Sequence, residues 1–255
     1  MPGEDPVLLE INGEVAVVTM NRPAARNAMS RGLISGVEEA FAELGRSATV
    51  KVAVLTGNGP AFCAGADLKE LSEGVAKLQS PDEEIGSGHR RFGMAAFPGP
   101  VIAAINGPAM TGGLELALNC DIRIASSNAR FADTHVRVGV IAGGRMTALL
   151  AREIGLSRAK EMSLGARIID AATAERWGLV NRVVEPDQLL AEALALAGEI
   201  AKADRDLLLT YNSLIEENYE LPYGQAIDNE HIRSRDANQR FERQRVDVAA
   251  LTSRR

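Results

Sequence analysis

Apolar positions along the chain change their spacing several times, and each change marks an element. Val15–Met20 (VAVVTM), Val50–Gly57 (VKVAVLTG), Val101–Ala109 (VIAAINGPA) and Asp121–Ser126 (DIRIAS) are short β-branched or apolar runs closed by turn residues, a pattern that predicts strands. Between the first two, MSRGLISGVEEAFAELG takes a helical spacing that gathers Leu33, Ile34, Val37, Phe41 and Leu44 on one face. Ser30 stands where an N-cap belongs and Gly45 where the helix should stop. GGLELALNC, just before Asp121, predicts a second helix. From Asp170 onward the spacing is mostly helical, through AATAERWGLV, PDQLLAEALALAGEIAKA and DRDLLLTYNSLIEENY, with Pro222 and Gly224 setting off a last charged helix. Strands alternating with helices predict an α/β core over residues 1–190, and the rest a helical C-terminal region over 191–255. Leu71–Gly88 is polar and punctuated by Gly and Ser, as loops and weak helices are. No internal repeat stands out.

Composition narrows the picture. A chain of 255 residues fits one main body. Its apolar fraction is 46% but its aromatic fraction only 4%, so packing falls to Ala, Val, Ile and Leu, with close backbone approaches. A net charge of −6 argues against sequence-independent nucleic-acid binding, which needs a basic face, so an anionic ligand must find a local basic patch. Cys63 and Cys120 could pair, yet MPGEDPVLLE has neither a basic n-region nor an apolar h-region, so reduced thiols in a cytoplasmic protein are the expectation. No apolar run is long enough to span a bilayer, and neither cysteine has the spacing of a metal site.

Two segments carry chemistry. In GPAMTGGLELALNCD a strand gives way to a helix near Gly112 and Gly113, which leaves backbone N–H groups at the positive end of the helix dipole. That outlines an oxyanion site, although paired glycines also serve tight strand-to-helix packing. Glu115, in the first turn of this apolar helix, is a candidate base; the dipole favours its charged form and desolvation opposes it. In AFCAGADLKE the small residues from Cys63 to Ala66 let another molecule approach the main chain. Asp67 and Glu70 also fit a capping box for a following helix.

MNRPAARNAMS, GPAFCAGADLKE, PVIAAINGPAMTGGLELALNCDIRIAS, ARFADTHVRVG and GLVNRVV follow one another in an order and spacing similar to the crotonase family, the enoyl-CoA hydratases and isomerases, over about Val7–Val184. The resemblance implies a spiral of ββα units with a helical C-terminal region that forms trimers or dimers of trimers. It also implies an acyl-CoA thioester substrate and no cofactor beyond the coenzyme A that the substrate carries. Carried over residue by residue, Ala66 and Gly112 would donate N–H groups to an enolate oxygen. The backbone at Ala64, Asp67 and Leu68 would meet the adenine end of CoA, with Lys69 and Arg26 as phosphate partners. Arg22 is the alternative, because hydratases often carry a lysine where this chain has Ala24.

The chief departure lies in FADTHVRVG, where family hydratases read F-x-x-P-E: Thr134, expected at the substrate, replaces the proline and His135 the second glutamate. His135 then either exchanges the α-proton, which an imidazole does readily near neutral pH, or serves the turn structurally. Alternation along an extended segment would put Asp133 on the same side, as a third-ranked acid. His89, His231 and the basic tail RQRVDVAALTSRR read as surface features, and Trp177 as a core or subunit anchor. The implied activity is hydration of a trans-2-enoyl-CoA. Isomerisation, decarboxylation or hydrolysis of an acyl-CoA, or acyl-CoA binding with little turnover, are the alternatives.

Overall fold

A computed structural model describes residues 5–72, 94 and 96–240. His89, most of the Leu71–Gly88 segment and the basic tail lie outside the described residues. The chain divides into two compact units, Met1–Lys202 and Ala203–Arg255.

The first unit begins with a hairpin of β1 (Val7–Asn12) and β2 (Val15–Met20), followed by α1 (Arg31–Arg46). Then come β3 (Val52–Gly57), α2 (Leu68–Ser72), β4 (Val101–Ile105), β5 (Ala109–Met110) and α3 (Gly112–Leu118). Next are β6 (Ile122–Ser126), β7 (Arg130–Ala132), α4 (His135–Val138), α5 (Met146–Ile154) and α6 (Leu156–Gly165). β8 (Ile169–Asp170), α7 (Ala171–Trp177), β9 (Arg182–Val184) and α8 (Leu189–Ala201) complete it. The large sheet has the order β1-β2-β3-β4-β6-β9, parallel throughout except for the β1–β2 pair. A small sheet, β5-β7-β8, is extended by single parallel bridges from Cys63 to Ala109 and from Met29 to Ala66.

The two sheets make the path a spiral. Each winding lays one strand in the large sheet, one short extended piece in the small sheet, and then a helix. The series runs β2, Met29, α1; then β3, Cys63–Ala66, α2; then β4, β5, α3; then β6, β7, α4. Because the small-sheet pieces pair in parallel, their C-terminal ends lie side by side, and every following helix starts at that one edge.

The local reasons for these elements are visible in the chain. Ser30 caps α1, its Oγ accepting from Leu33 N at 3.2 Å. Leu33, Val37, Phe41 and Leu44 are buried, while Ile34 is only half-buried and Ala40 takes the inward position instead. α1 ends at Arg46, one residue past Gly45, and Gly45 serves packing: a Cβ there would collide with Ala96 O. β3 and β4 read as continuous apolar runs because helices cover the parallel sheet, with α8 packed on β2, β3, β4 and β6. α8, which the sequence groups with the C-terminal helices, thus belongs to the body of the first unit. β1 goes unpredicted: it is an edge strand with mostly exposed residues, so it lacks the apolar run that marks the others.

In the second unit, α9 (Arg205–Glu220) is capped by Asp204, which accepts from Leu207 N at 3.0 Å. α10 (Tyr223–Arg240) follows after Pro222, and Arg233 reaches back to Ser213 and Glu217. Gly224 lies inside α10 rather than in the break. Among the described residues no helix is long and apolar enough to cross a membrane, and no group of His, Cys, Asp and Glu could hold a metal ion.

Candidate active site

The junctions of windings two, three and four meet at the open edge of the small sheet. Along Cys63–Asp67 nearly every N–H has an acceptor: Cys63 donates to Pro108 O, Ala64 to Arg26 O, Gly65 to the Cys63 sulfur and Asp67 to Met29 O. Ala66 N–H is the exception, with no acceptor among the described residues. Gly112 opens α3, so its N–H has no acceptor within the helix, and both residues are half-buried and reachable. The two turns touch because Gly65 adopts φ +89°: a Cβ there would lie 2.9 Å from Met110 O and 3.6 Å from Gly112 N. The residues expected as donors are therefore neighbours, each with an N–H that has no acceptor among the described residues.

Between Met110 and Gly112 the chain passes through Thr111 at φ 53°, ψ −111°, a conformation that a β-branched residue resists. Two bonds hold it there. Its N–H donates to Ala132 O at 2.8 Å, and its hydroxyl meets that of Thr134 at 2.5 Å. Thr134, expected at the substrate, spends its hydroxyl on tying winding four to the Gly112 turn.

Glu115 lies one turn into α3, and because helical side chains lean toward the N-terminus its carboxylate returns to the junction. It is 5% exposed. Its Oε1 accepts from Gly144 N at 2.7 Å, and Met146 N–H adds a second backbone bond. Burial pushes the Glu115 pKa above the ordinary carboxylate range; the Gly144 N–H and the His135 ring oppose this, while Asp133 reinforces it. Gly144 must be glycine, since a Cβ would come within 2.8 Å of Glu115 Cδ. Its carbonyl is held in turn by Asn119 Nδ2 at 3.0 Å, which also bonds Glu115 O at 2.8 Å. Gly144 and Asn119 carry no signal in the sequence, because what makes them matter is a contact across a span of loop.

His135 is where the sequence expectation fails in form and gains in substance. The segment is not extended: α4 starts at His135, since Asp133 accepts the His135 backbone N–H at 3.2 Å and turns the chain. The Asp133 carboxylate is buried, and its Oδ1 lies 2.6 Å from His135 Nδ1. The far ring nitrogen, Nε2, faces Glu115 Oε2 at 3.7 Å, beyond a direct hydrogen bond. An acid, an imidazole and a second acid thus stand in line.

At the other end, Arg22 is not the spare cation that the sequence suggests. It pairs with Asp67 at 3.0 Å and donates to Ala28 O. Burial pushes the Asp67 carboxyl up, but Arg22 and the N–H groups of Lys69 and Glu70 outweigh it and hold the pKa below the ordinary range. Asp67 caps α2 as predicted, whereas Glu70 bonds Arg31 N at 2.9 Å and does not close a capping box. Arg26 and Lys69 are exposed and lack ion pairs among the described residues. The N–H groups of Ala64 and Asp67 are used internally, so an adenine at Ala64 would meet a carbonyl oxygen. Leu68 opens α2 beside them. An open groove of about 580 Å³ between β1 and α1, bordered by Asp5, Glu39 and Glu43, lies apart from all these groups.

Residues 10–245 match the enoyl-CoA hydratase/isomerase family. The chain belongs to that family, the crotonases. It is 36% identical over 223 residues to a probable peroxisomal enoyl-CoA hydratase 1 of Arabidopsis thaliana, covering 88% of this chain and 83% of the relative. It is 42% identical to an (E)-benzylidenesuccinyl-CoA hydratase of Thauera aromatica, over 78% of this chain and 77% of that one. The crystal structure of an enoyl-CoA hydratase from Bacillus anthracis superposes with a TM-score of 0.84 at 30% identity, covering 98% of this chain and 97% of that one. The spiral and the C-terminal helices are thus the crotonase fold.

Proposed function

We propose that this crotonase is an enoyl-CoA hydratase, adding water to a trans-2-enoyl-CoA to give the 3-hydroxyacyl-CoA. The observation that carries this reading is the pair of unused N–H groups, Ala66 and Gly112, beside a buried carboxylate and an imidazole. The thioester oxygen accepts both N–H bonds as it becomes an enolate oxygen; each such donor is worth roughly 3 kcal/mol of barrier. Ionised Glu115 takes a proton from water as its oxygen bonds to the β-carbon, and His135 Nε2–H gives a proton to the α-carbon. In the reverse direction neutral Nε2 takes the α-proton and protonated Glu115 gives its proton to the leaving hydroxyl. Either way the pair carries one proton, which suits a Glu115 whose affinity for a proton is raised.

The CoA phosphates fall to Arg26 and Lys69 in this reading, with Arg22 committed to Asp67. Assembly as a trimer or dimer of trimers is supported by exposed apolar residues at helical spacing on α9: Leu207, Tyr211, Ile215 and Tyr219. A cytoplasmic setting is supported by two buried cysteines that are not joined in a disulfide. Loss of the conjugated enoyl-thioester absorbance, followed with crotonyl-CoA and longer trans-2-enoyl-CoA esters, tests the reaction. Tight binding of these esters without turnover would overturn it.

A further inference from the structure

We infer that Asp133 is a positioning residue that keeps a proton on His135 Nδ1, so that Nε2 alone exchanges protons with the substrate and with Glu115. The inference rests on the hydratase reading for its consequence, but on resting geometry for its substance. Asp133 is 3% exposed, and its Oδ1 sits 2.6 Å from Nδ1. A buried carboxylate only accepts, so the nitrogen facing it must be the N–H of the ring. The same oxygen accepts the His135 backbone N–H, which fixes the carboxylate to the turn that carries the imidazole. With Nδ1 so committed, Nε2 is the nitrogen left to gain or lose a proton, 3.7 Å from Glu115 Oε2. The opposite neutral tautomer would aim an N–H at Glu115 and could not accept the α-proton. Asp133 therefore touches no substrate and is not a second acid; it acts through His135.

The tautomer can be read directly in resting enzyme. The chain has three histidines, so ¹⁵N-histidine labelling gives few ring signals, and His135→Gln identifies the one that matters. At alkaline pH the wild-type His135 should show a protonated Nδ1 and a bare Nε2, and Asp133→Ala, which leaves no acceptor at Nδ1, should let the proton pass toward Nε2. A wild-type ring protonated on Nε2 overturns the inference, whether or not the variant folds. In turnover, Asp133→Ala should lower kcat about 10²- to 10³-fold, with KM changed less than about threefold. In the His135→Ala background the same substitution should cost nothing further, and an additional independent loss would show that Asp133 acts by another route. Absence of hydration alongside the expected tautomer would refute the reaction and leave the dyad standing.

Discussion

Two parts of the site occupy equivalent places in the spiral and work by opposite means. At the junctions of windings two and three, side chains are nearly absent: Ala64, Gly65, Ala66, Gly112 and Gly113 present main chain, and the proposed reaction assigns the binding to its N–H groups. At the junction of winding four, and one turn into α3, the main chain is ordinary and the side chains Asp133, His135 and Glu115 stand in line, where the proposed reaction places the proton chemistry. The first kind of site is rigid and indifferent to the acyl group, since a backbone N–H has no rotamer to adjust. The second is replaceable, because a change of side chain there leaves the donors untouched. In the proposed reaction, that difference accounts for a chain that departs from F-x-x-P-E while its turns at Ala66 and Gly112 keep the pattern on which the family resemblance rests.

The largest effect expected from breaking this division is at Glu115. Glu115→Gln should lower kcat/KM by about 10³-fold or more while thioester binding persists. The same variant reports on proton affinity. A carboxyl whose pKa is higher folded than unfolded holds an extra proton in the native state, so its presence costs the native state stability as pH rises above about 4.3. The thermal stability of Glu115→Gln relative to wild type should accordingly improve between pH 4 and pH 7, and calorimetry across that range checks the sign.

Gly65→Ala strikes the backbone half instead. It strains a positive φ and drives a Cβ to 2.9 Å from Met110 O, so the donor turns must part. A fall in kcat of about 10²-fold is expected, together with a lower melting temperature, whereas His135 chemistry is untouched. Unaltered kcat in this variant would mean that the two N–H groups are not acting as a pair. Asp67→Asn should do least. It removes a surface-edge ion pair with Arg22 worth at most about 1 kcal/mol. Because the Asp67 pKa is lowered, that contribution exists above the ordinary carboxylate range and fades as pH falls through it, so urea titrations of variant and wild type should converge in acid.

Legibility in the sequence followed the same line. β2 and the Ser30 cap were readable because local periodicity and capping chemistry are properties of contiguous residues, whereas a donor role for Ala66 and Gly112 followed only from the family resemblance. The spiral of ββα units was legible only through the resemblance and not from periodicity, since its small-sheet pieces at Met29 and Cys63–Ala66 are single bridges too short to show alternation. Asp133 was visible but misplaced, because an extended segment was assumed where a backbone bond to its own carboxylate starts a helix. The supports of Glu115 were hidden altogether: Gly144 lies 29 residues away.

Cys63 offers an unplanned reporter. Its thiol lies under the donor turn, fully buried, its sulfur accepting the Gly65 N–H, and burial pushes its pKa up to about 12. So protonated a thiol is nearly inert to alkylating reagents. In a Cys120→Ala background, the slow rate at which a maleimide finds Cys63 becomes a stopwatch on how often the turn bearing Ala66 breathes open. Bound acyl-CoA, by closing that turn, should lengthen the interval.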